Sequence, residues 1–335
     1  MTSAKLTDFN GTPCVELTAG GYTCLIAYEI GCNVIRLRDT KHSVEFFRFN
    51  PENSAQTIKD SPEVWGMPTL YFPNRLADGL LQTSDSVYQL PVNEKNHFHN
   101  YIHGFVHKRA HKVVDYNSDE TSAWLKTIFE YNDNDEYFKY FPVRFNVEYT
   151  FTLSPDGLEQ KIRYTNLSAK VLPISIGSHT SIKAPFVDGA KLEDIRLTVP
   201  AIVRCELNER CLPTENLLPL SEWDKQFVDG TMVPVLQGVD NDMYISGTTQ
   251  LNGKEFHGII AEDTASGIKI CYEVSDEYKF WIVWNDKGFN GYFCPEPMTA
   301  MINAPNLKLS HLVSGYKEIK TDESFEIMQH FFTWL

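Results

Sequence analysis

Apolar and polar residues alternate with a period of two along most of the chain, a pattern that predicts β-strands. The clearest example is the segment 144–153, in which every second residue is apolar and the residues between them are polar or charged. Ser154-Pro155-Asp156-Gly157 follows, with Pro and Gly at the positions that a type I turn prefers. Residues 158–166 then return as the partner strand, so the sequence predicts a β-hairpin.

Further strands are expected where the same pattern or a short apolar run recurs, at 122–131, 268–274, 280–284 and 325–333. The uninterrupted apolar run 280–284 predicts a strand that is buried on both faces. Asp276-Glu277 forms a turn between this strand and the preceding one.

Helical patterning is weak, because no window of ~12 residues shows 3.6-residue spacing free of Pro and Gly. The segment 207–227 contains Pro213 and Pro219 and is expected to be an ordered loop. The sequence therefore predicts an all-β fold, a large antiparallel β-sandwich that spans 1–335 as a single domain. Functional residues are expected on the loops at its open face.

Composition narrows the function classes. The chain has 335 residues, 42% of them hydrophobic, and a formal net charge of −14. Such an acidic chain repels nucleic acids and anionic lipids, so neither nucleic-acid nor membrane partners are expected. No apolar run approaches the ~18 residues of a membrane span, and residues 1–11 lack the apolar core of a signal peptide. The seven cysteines include no Cys-x-x-Cys pair, which favours free thiols and a cytoplasmic location.

Histidines are concentrated in one segment, at positions 97, 99, 103, 107 and 111. On a helix the last four would form one stripe that could bind a metal ion. Gly104 and the neighbouring aromatic and β-branched residues favour extended chain instead, in which residues four apart are separated by about 13 Å. We therefore expect no metal site and a single catalytic or sugar-binding histidine.

Four short segments interrupt the alternation and contain candidate functional groups. They are Asn74-Arg75, His103-Gly104, Gly177-Ser178-His179 and Glu296-Pro297, the last preceded by Pro295. A carboxylate between two prolines is expected on a stiff, non-helical loop.

In the same order, these four segments resemble the motifs of the aldose 1-epimerase (galactose mutarotase) family. Asp240, in the segment 239–244, is similar to the sugar-binding Asp of that family, and Asn306 follows the Glu-Pro element as in the family. The resemblance extends over nearly the whole chain. It implies a large β-sandwich and the interconversion of α and β anomers of an aldose, with no cofactor and no metal.

The resemblance also implies roles for individual residues. Glu296 would be the general base and His179 the general acid, placed on opposite sides of the sugar. The substrate-binding residues would be Arg75, His103, Asp240 and Asn74. A carboxylate is ionised at neutral pH and can accept a proton, and an imidazole can donate one there.

The chain also departs from the family pattern. Thr180-Ser181 follows the acid histidine where galactose mutarotases have an aromatic residue and Asn, which indicates a less characterised branch. Lys183 suggests an anionic substrate, so a hexose-phosphate 1-epimerase is an alternative. Two further candidate functions are glycoside hydrolysis and non-catalytic carbohydrate binding. The expected partner is a small-molecule sugar, and the chain is expected to be a monomer or homodimer.

Overall fold

Strands dominate the architecture. The protein is described by a computed structural model that covers residues 2–335. Strands make up 48% of it and helices 9%, which confirms the all-β prediction. The first fifteen strands are β1 (Ser3–Phe9), β2 (Thr12–Ala19), β3 (Tyr22–Ala27), β4 (Asn33–Asp39), β5 (Val44–Glu45), β6 (Thr69–Leu70), β7 (Arg75–Ala77), β8 (Leu80–Gln82), β9 (Val87–Gln89), β10 (Asn100–Ile102), β11 (Lys112–Ser118), β12 (Ala123–Tyr131), β13 (Phe145–Ser154), β14 (Gly157–Asn166) and β15 (Leu172–Ile174). The others are β16 (Gly177–Ser178), β17 (Ile182–Lys183), β18 (Ile195–Thr198), β19 (Ala201–Leu207), β20 (Pro213–Leu218), β21 (Asp242–Ser246), β22 (Thr249–Leu251), β23 (Lys254–Phe256), β24 (Gly258–Asp263), β25 (Lys269–Val274), β26 (Phe280–Trp284), β27 (Tyr292–Met298), β28 (Lys317–Ile319) and β29 (Ser324–Trp334).

Helices are short. The α-helices of the described range are α1 (Ala55–Asp60), α2 (Glu222–Val228) and α3 (His311–Ser314), and its 3₁₀ turns are Pro62–Val64, Val106–Lys108, Leu192–Asp194 and Ala304–Asn306. Within residues 2–335, no helix has the length and apolar character needed to cross a membrane.

Three antiparallel sheets organise most of the strands. Strands β1 to β5 form an N-terminal meander. The first large sheet has the order β11-β12-β13-β14-β29-β25-β24-β18, and the second has the order β20-β19-β21-β26-β27-β16-β6, with β17 paired to β27. The two large sheets pack against each other, as the edge-to-face contact of Tyr272 with Trp281 shows, with ring centroids 5.6 Å apart. This packing is the predicted sandwich.

The predicted hairpin is confirmed. Strands β13 and β14 pair from Phe145–Asn166 to Ser154–Gly157. The apolar face of β13, from Phe145 to Leu153, is completely or almost completely buried, so the period of two reflects one face on the core. Strand β26 is buried on both faces over most of its length, also as predicted.

The prediction of an ordered loop at 207–227 is wrong, because this segment forms β20 and most of α2. Pro213 is the first residue of β20, which lies at the edge of its sheet, where a missing N–H is tolerated. Pro219 precedes α2, whose first turn is closed by a capping box between Ser221 and Asp224. Both prolines therefore mark boundaries of elements rather than a loop.

Candidate active site

A cavity of about 320 Å³ opens where strands of the second large sheet meet the loops that follow β6 and β10. Five of the six residues predicted for the site line it, namely Asn74, Arg75, His103, His179 and Glu296. Residues from four separate parts of the sequence thus come together in one place.

Gly177 lies where three of these parts meet. It is in β16, between β6 and β27. A Cβ atom at this position would lie 2.8 Å from Cβ of Pro73 and 2.9 Å from the carbonyl oxygen of Pro297. Only glycine allows the chain before Asn74 and the chain after Glu296 to approach β16 this closely. Two residues later, the backbone N–H of His179 donates to the carbonyl of Pro68 at 3.0 Å and fixes the start of the loop.

His103 is placed by a comparable constraint. Its φ is +63°, and its N–H donates to the carbonyl of Asn74 at 2.8 Å. The next residue, Gly104, has φ +66°, and a Cβ atom there would lie 1.8 Å from the carbonyl oxygen of Tyr71. The His-Gly element therefore holds a tight crossing of two chains, which turns the His103 ring into the cavity.

Glu296 lies in a strand, β27, and not in the loop that its flanking prolines predicted. On one side β27 pairs continuously with β26. On the other side it pairs with β17 at Tyr292 and Phe293 and with β16 at Met298. Among the residues described, no strand pairs with the stretch between these points, so proline is tolerated there as at a sheet edge. The Glu296 side chain projects from one face of the sheet and lines the cavity.

Glu296 and His179 are in direct contact. His179 Nε2 lies 3.3 Å from Glu296 Oε1, and the side chains are 6% and 4% exposed. The two groups therefore lie side by side, and the expected placement across the width of a sugar is wrong. Burial raises the pKa of Glu296 to about 8, a shift that the positive charge of Arg75 opposes. Burial lowers the pKa of His179 to about 4.

Arg75 is held in a fixed orientation. Its Nε and Nη2 donate to both oxygens of Glu94, at 2.9 and 2.8 Å. Its Nη1 contacts the side-chain oxygens of Asn74, at 3.1 Å, and Asn241, at 3.4 Å. The bidentate ion pair uses one edge of the guanidinium, and Nη1 donates to Asn74 and Asn241, which also line the cavity.

The structure does not bring Asp240 into this cavity. Asp240 is exposed, and it lines a neighbouring depression next to β19. The next residue, Asn241, lines both. Asn241 has φ +56°, and this left-handed turn directs its side chain to Arg75, while Asp240 only accepts a hydrogen bond from the Asn241 amide at 2.8 Å.

The histidine-rich segment is not a stripe. His103 faces the cavity, His107 and His111 are buried elsewhere, and His99 pairs with Asp78 at the surface. Within residues 2–335, no three His, Cys, Asp or Glu side chains are grouped so as to hold a metal ion.

Sequence reasoning did not identify four residues of the site. Trp284, Asn241 and Glu63 line the cavity, and Glu94 orients Arg75. Trp284 ends a buried strand and contacts His179 edge to face, with ring centroids 5.7 Å apart. A tryptophan at a strand end and an Asn beside a candidate Asp are signals that were present in the sequence. No local pattern singles out Glu63 or Glu94.

Comparison with known proteins identifies the same fold and family. The sequence model of the aldose 1-epimerase family matches residues 13–328. A galactose mutarotase-like protein from Clostridium acetobutylicum is 31% identical, with 99% of this chain and 98% of that chain covered and a TM-score of 0.95. Galactose 1-epimerase from Lactobacillus acidophilus NCFM is 13% identical, with 100% and 98% covered and a TM-score of 0.72, a likeness of fold.

Proposed function

The chain belongs to the aldose 1-epimerase family, and on that ground we propose that it interconverts the α and β anomers of an aldose by opening and reclosing the sugar ring. One observation carries the proposal. An acid and a base, His179 and Glu296, lie 3.3 Å apart and almost fully buried in one cavity. The anomeric oxygen and the ring oxygen of an aldose are bonded to the same carbon, so a proton acceptor and a donor must act close together.

In ring opening, ionised Glu296 takes the proton of the anomeric hydroxyl while protonated His179 gives a proton to the ring oxygen. The bond between C1 and the ring oxygen breaks and an aldehyde forms. After rotation about C1–C2, the same hydroxyl attacks the other face of the aldehyde, and both protons return. Because each proton transfer is completed by its partner, neither sugar oxygen carries a full charge.

The protonation of the pair supports this cycle. A pKa of about 8 at Glu296 and about 4 at His179 leaves one proton on the pair at neutral pH. With the proton on His179 the pair can open the ring, and with the proton on Glu296 it can close it. At neutral pH the proton therefore lies mainly on Glu296, the form that closes the ring, and the positive charge of Arg75 opposes this preference.

The remaining residues would bind hydroxyl groups. The guanidinium of Arg75 is a rigid charged donor, and Asn74 adds an amide beside it. Burial lowers the pKa of His103 well below its ordinary value, so that this ring is neutral and can either donate or accept. For the position predicted as Asp240, Asn241 is the side chain within reach. Trp284 offers an aromatic face to the apolar side of a sugar.

Polarimetry of freshly dissolved α-glucose, α-galactose and a hexose 6-phosphate, with and without protein, tests the proposal. We expect a faster approach to the equilibrium rotation for at least one sugar, and unchanged rates for all three would contradict it. Glu296→Gln should abolish the acceleration. Glu52→Gln, which alters an exposed carboxylate outside the cavity, is the matched control and should keep it. Release of the phenol from an aryl glycoside would instead indicate a glycosidase.

A further inference from the structure

Glu63 is a second carboxylate in the cavity and has no role in the proton transfers above. It lies in the 3₁₀ turn Pro62–Val64, and both Glu63 and Val64 line the cavity. It makes no hydrogen bond or ion pair with Glu296, His179 or Arg75 within the described structure. It is therefore a second possible acceptor in the cavity, separate from the reacting pair.

The carboxylate of Glu63 is not satisfied by its protein neighbours. Its Oε2 is buried and has no hydrogen-bond partner among residues 2–335. The nearest cationic candidate is Nε2 of His107, at 3.8 Å, beyond hydrogen-bond distance. Burial lowers the pKa of His107 well below its ordinary value, so this ring is neutral and does not neutralise the carboxylate. The Glu63 side chain lines the cavity and is 25% exposed, and its other oxygen, Oε1, makes no hydrogen bond within the described residues.

The turn that carries Glu63 is firmly attached. The buried side chain of Asn33 donates to the carbonyl of Trp65 at 2.7 Å and accepts from the N–H of Met67 at 2.9 Å. The guanidinium of Arg48 lies between the rings of Trp65 and Tyr292, 4.1 Å from each centroid. An acceptor on such a support needs little reorganisation to bind a ligand.

The charge of the groups that line the cavity affects which sugars can bind there. Among the residues described, Arg75 is the only cation that lines the cavity, and Glu94 already pairs with it. Lys183, which suggested an anionic substrate, does not line the cavity. Glu63 makes no ion pair with a Lys or Arg among the described residues, and the guanidinium of Arg48 donates to the carbonyl of the adjacent Val64, at 3.3 Å, and not to the Glu63 carboxylate. A phosphate group there would meet repulsion in a partly buried site, where screening is weak.

We propose that Glu63 is a substrate-binding residue that accepts a hydrogen bond from a sugar hydroxyl other than that on C1 and excludes phosphorylated sugars. The inference rests on the proposed function, since it concerns the same site. Hydrogen bonds to a charged acceptor are about twice as strong as neutral ones, so this contact contributes to both affinity and specificity.

The test compares wild type with Glu63→Gln and with Glu52→Gln, an exposed carboxylate outside the cavity, as the matched control. Steady-state polarimetry is run with the best aldose, its monodeoxy analogues and its 6-phosphate. For Glu63→Gln we expect KM for the aldose to rise at least about tenfold with a much smaller change in kcat, because the lost contact is made in both ground and transition states. The preference for the free sugar over its phosphate should fall by a similar factor.

The deoxy analogues identify the hydroxyl. Wild type should bind one of these analogues more weakly than the parent sugar. Glu63→Ala should bind that analogue and the parent sugar with equal affinity. Equal KM values for wild type and Glu63→Gln, or an unchanged preference against the phosphate, would overturn the inference. If wild type accelerates no mutarotation, the proposed function fails on its own, and calorimetric sugar affinities of wild type and Glu63→Gln still decide the role of Glu63.

Discussion

Replacing Glu296 by Gln should stabilise the folded protein at neutral pH while it removes catalysis. Gln has nearly the same shape as Glu but no charge to bury. In the wild type, the pKa of Glu296 is raised from 4.5 to about 8 by burial. The folded state therefore binds a proton more tightly than the unfolded chain, and folding is most favoured where this proton is bound in both states.

The size of the effect follows from that pKa. The contribution of Glu296 is fully present below pH 4.5 and is lost as the pH rises to about 8. At about 1.4 kcal/mol per pH unit, the loss by pH 7 is about 3 kcal/mol. The Gln variant has no such loss. Its free energy of unfolding should therefore equal that of wild type near pH 4 and exceed it by about 3 kcal/mol at pH 7.

Urea unfolding at several pH values, followed by circular dichroism, measures this difference. Groups that titrate alike in both proteins cancel, and Glu52→Gln controls for the loss of a surface charge. A difference that does not change between pH 4 and 7, or a variant less stable than wild type at pH 7, would refute the reasoning. In the same variant kcat should fall by ~10³-fold or more, as expected when a general base is lost.

Three other results are expected. The pH profile of kcat/KM should be bell-shaped with limbs near pH 4 and pH 8, because the pair of Glu296 and His179 is catalytically active when it carries one proton. A value of kcat/KM that still rises above pH 9 would contradict this. Gly104→Ala should lower the free energy of unfolding, measured in urea, by about 3 kcal/mol, because φ at this position is left-handed and the carbonyl of Tyr71 is too close for a Cβ atom. A change within about 0.5 kcal/mol, the usual range for surface substitutions, would contradict the tight crossing of the two chains. Glu94→Gln should raise KM on the order of tenfold, because Arg75 loses the ion pair that fixes its orientation. Polarimetry at saturating and limiting sugar concentrations measures this, and an unchanged KM would show that Arg75 does not need the ion pair.

The strands were the most predictable part of the fold. In β13 the residues on one face pack on the core and those on the other face are polar, so the sequence alternates with a period of two. In β26 the apolar run reports burial on both sides. The helix α2 was missed because seven residues cover only about two turns, too few for a 3.6-residue period to be recognised. Its signal was instead the capping box at Ser221 and Asp224.

The site could be predicted only where the backbone itself is constrained. Gly104 and Gly177 are glycines for steric reasons. His103, directly before Gly104, and His179, two residues after Gly177, are thereby recognisable as parts of short motifs. Glu63 has no such marker. It faces the cavity because its turn is held by residues distant in sequence, and such long-range placement leaves no local pattern.

The location of Glu296 connects the sheet to the chemistry. A strand with hydrogen-bonded neighbours on both sides would exclude proline, because proline has no N–H to donate. In β27 the partner strands β16 and β17 leave a gap on one side, between Phe293 and Met298. Prolines fit this gap because no N–H is required there, and they keep the strand extended without a partner. The pKa of Glu296 is raised because its side chain is almost completely buried where it lines the cavity. The interruption in the pairing thus accounts for the Pro-Glu-Pro sequence, and burial on one face of the sheet accounts for the affinity of the carboxylate for a proton.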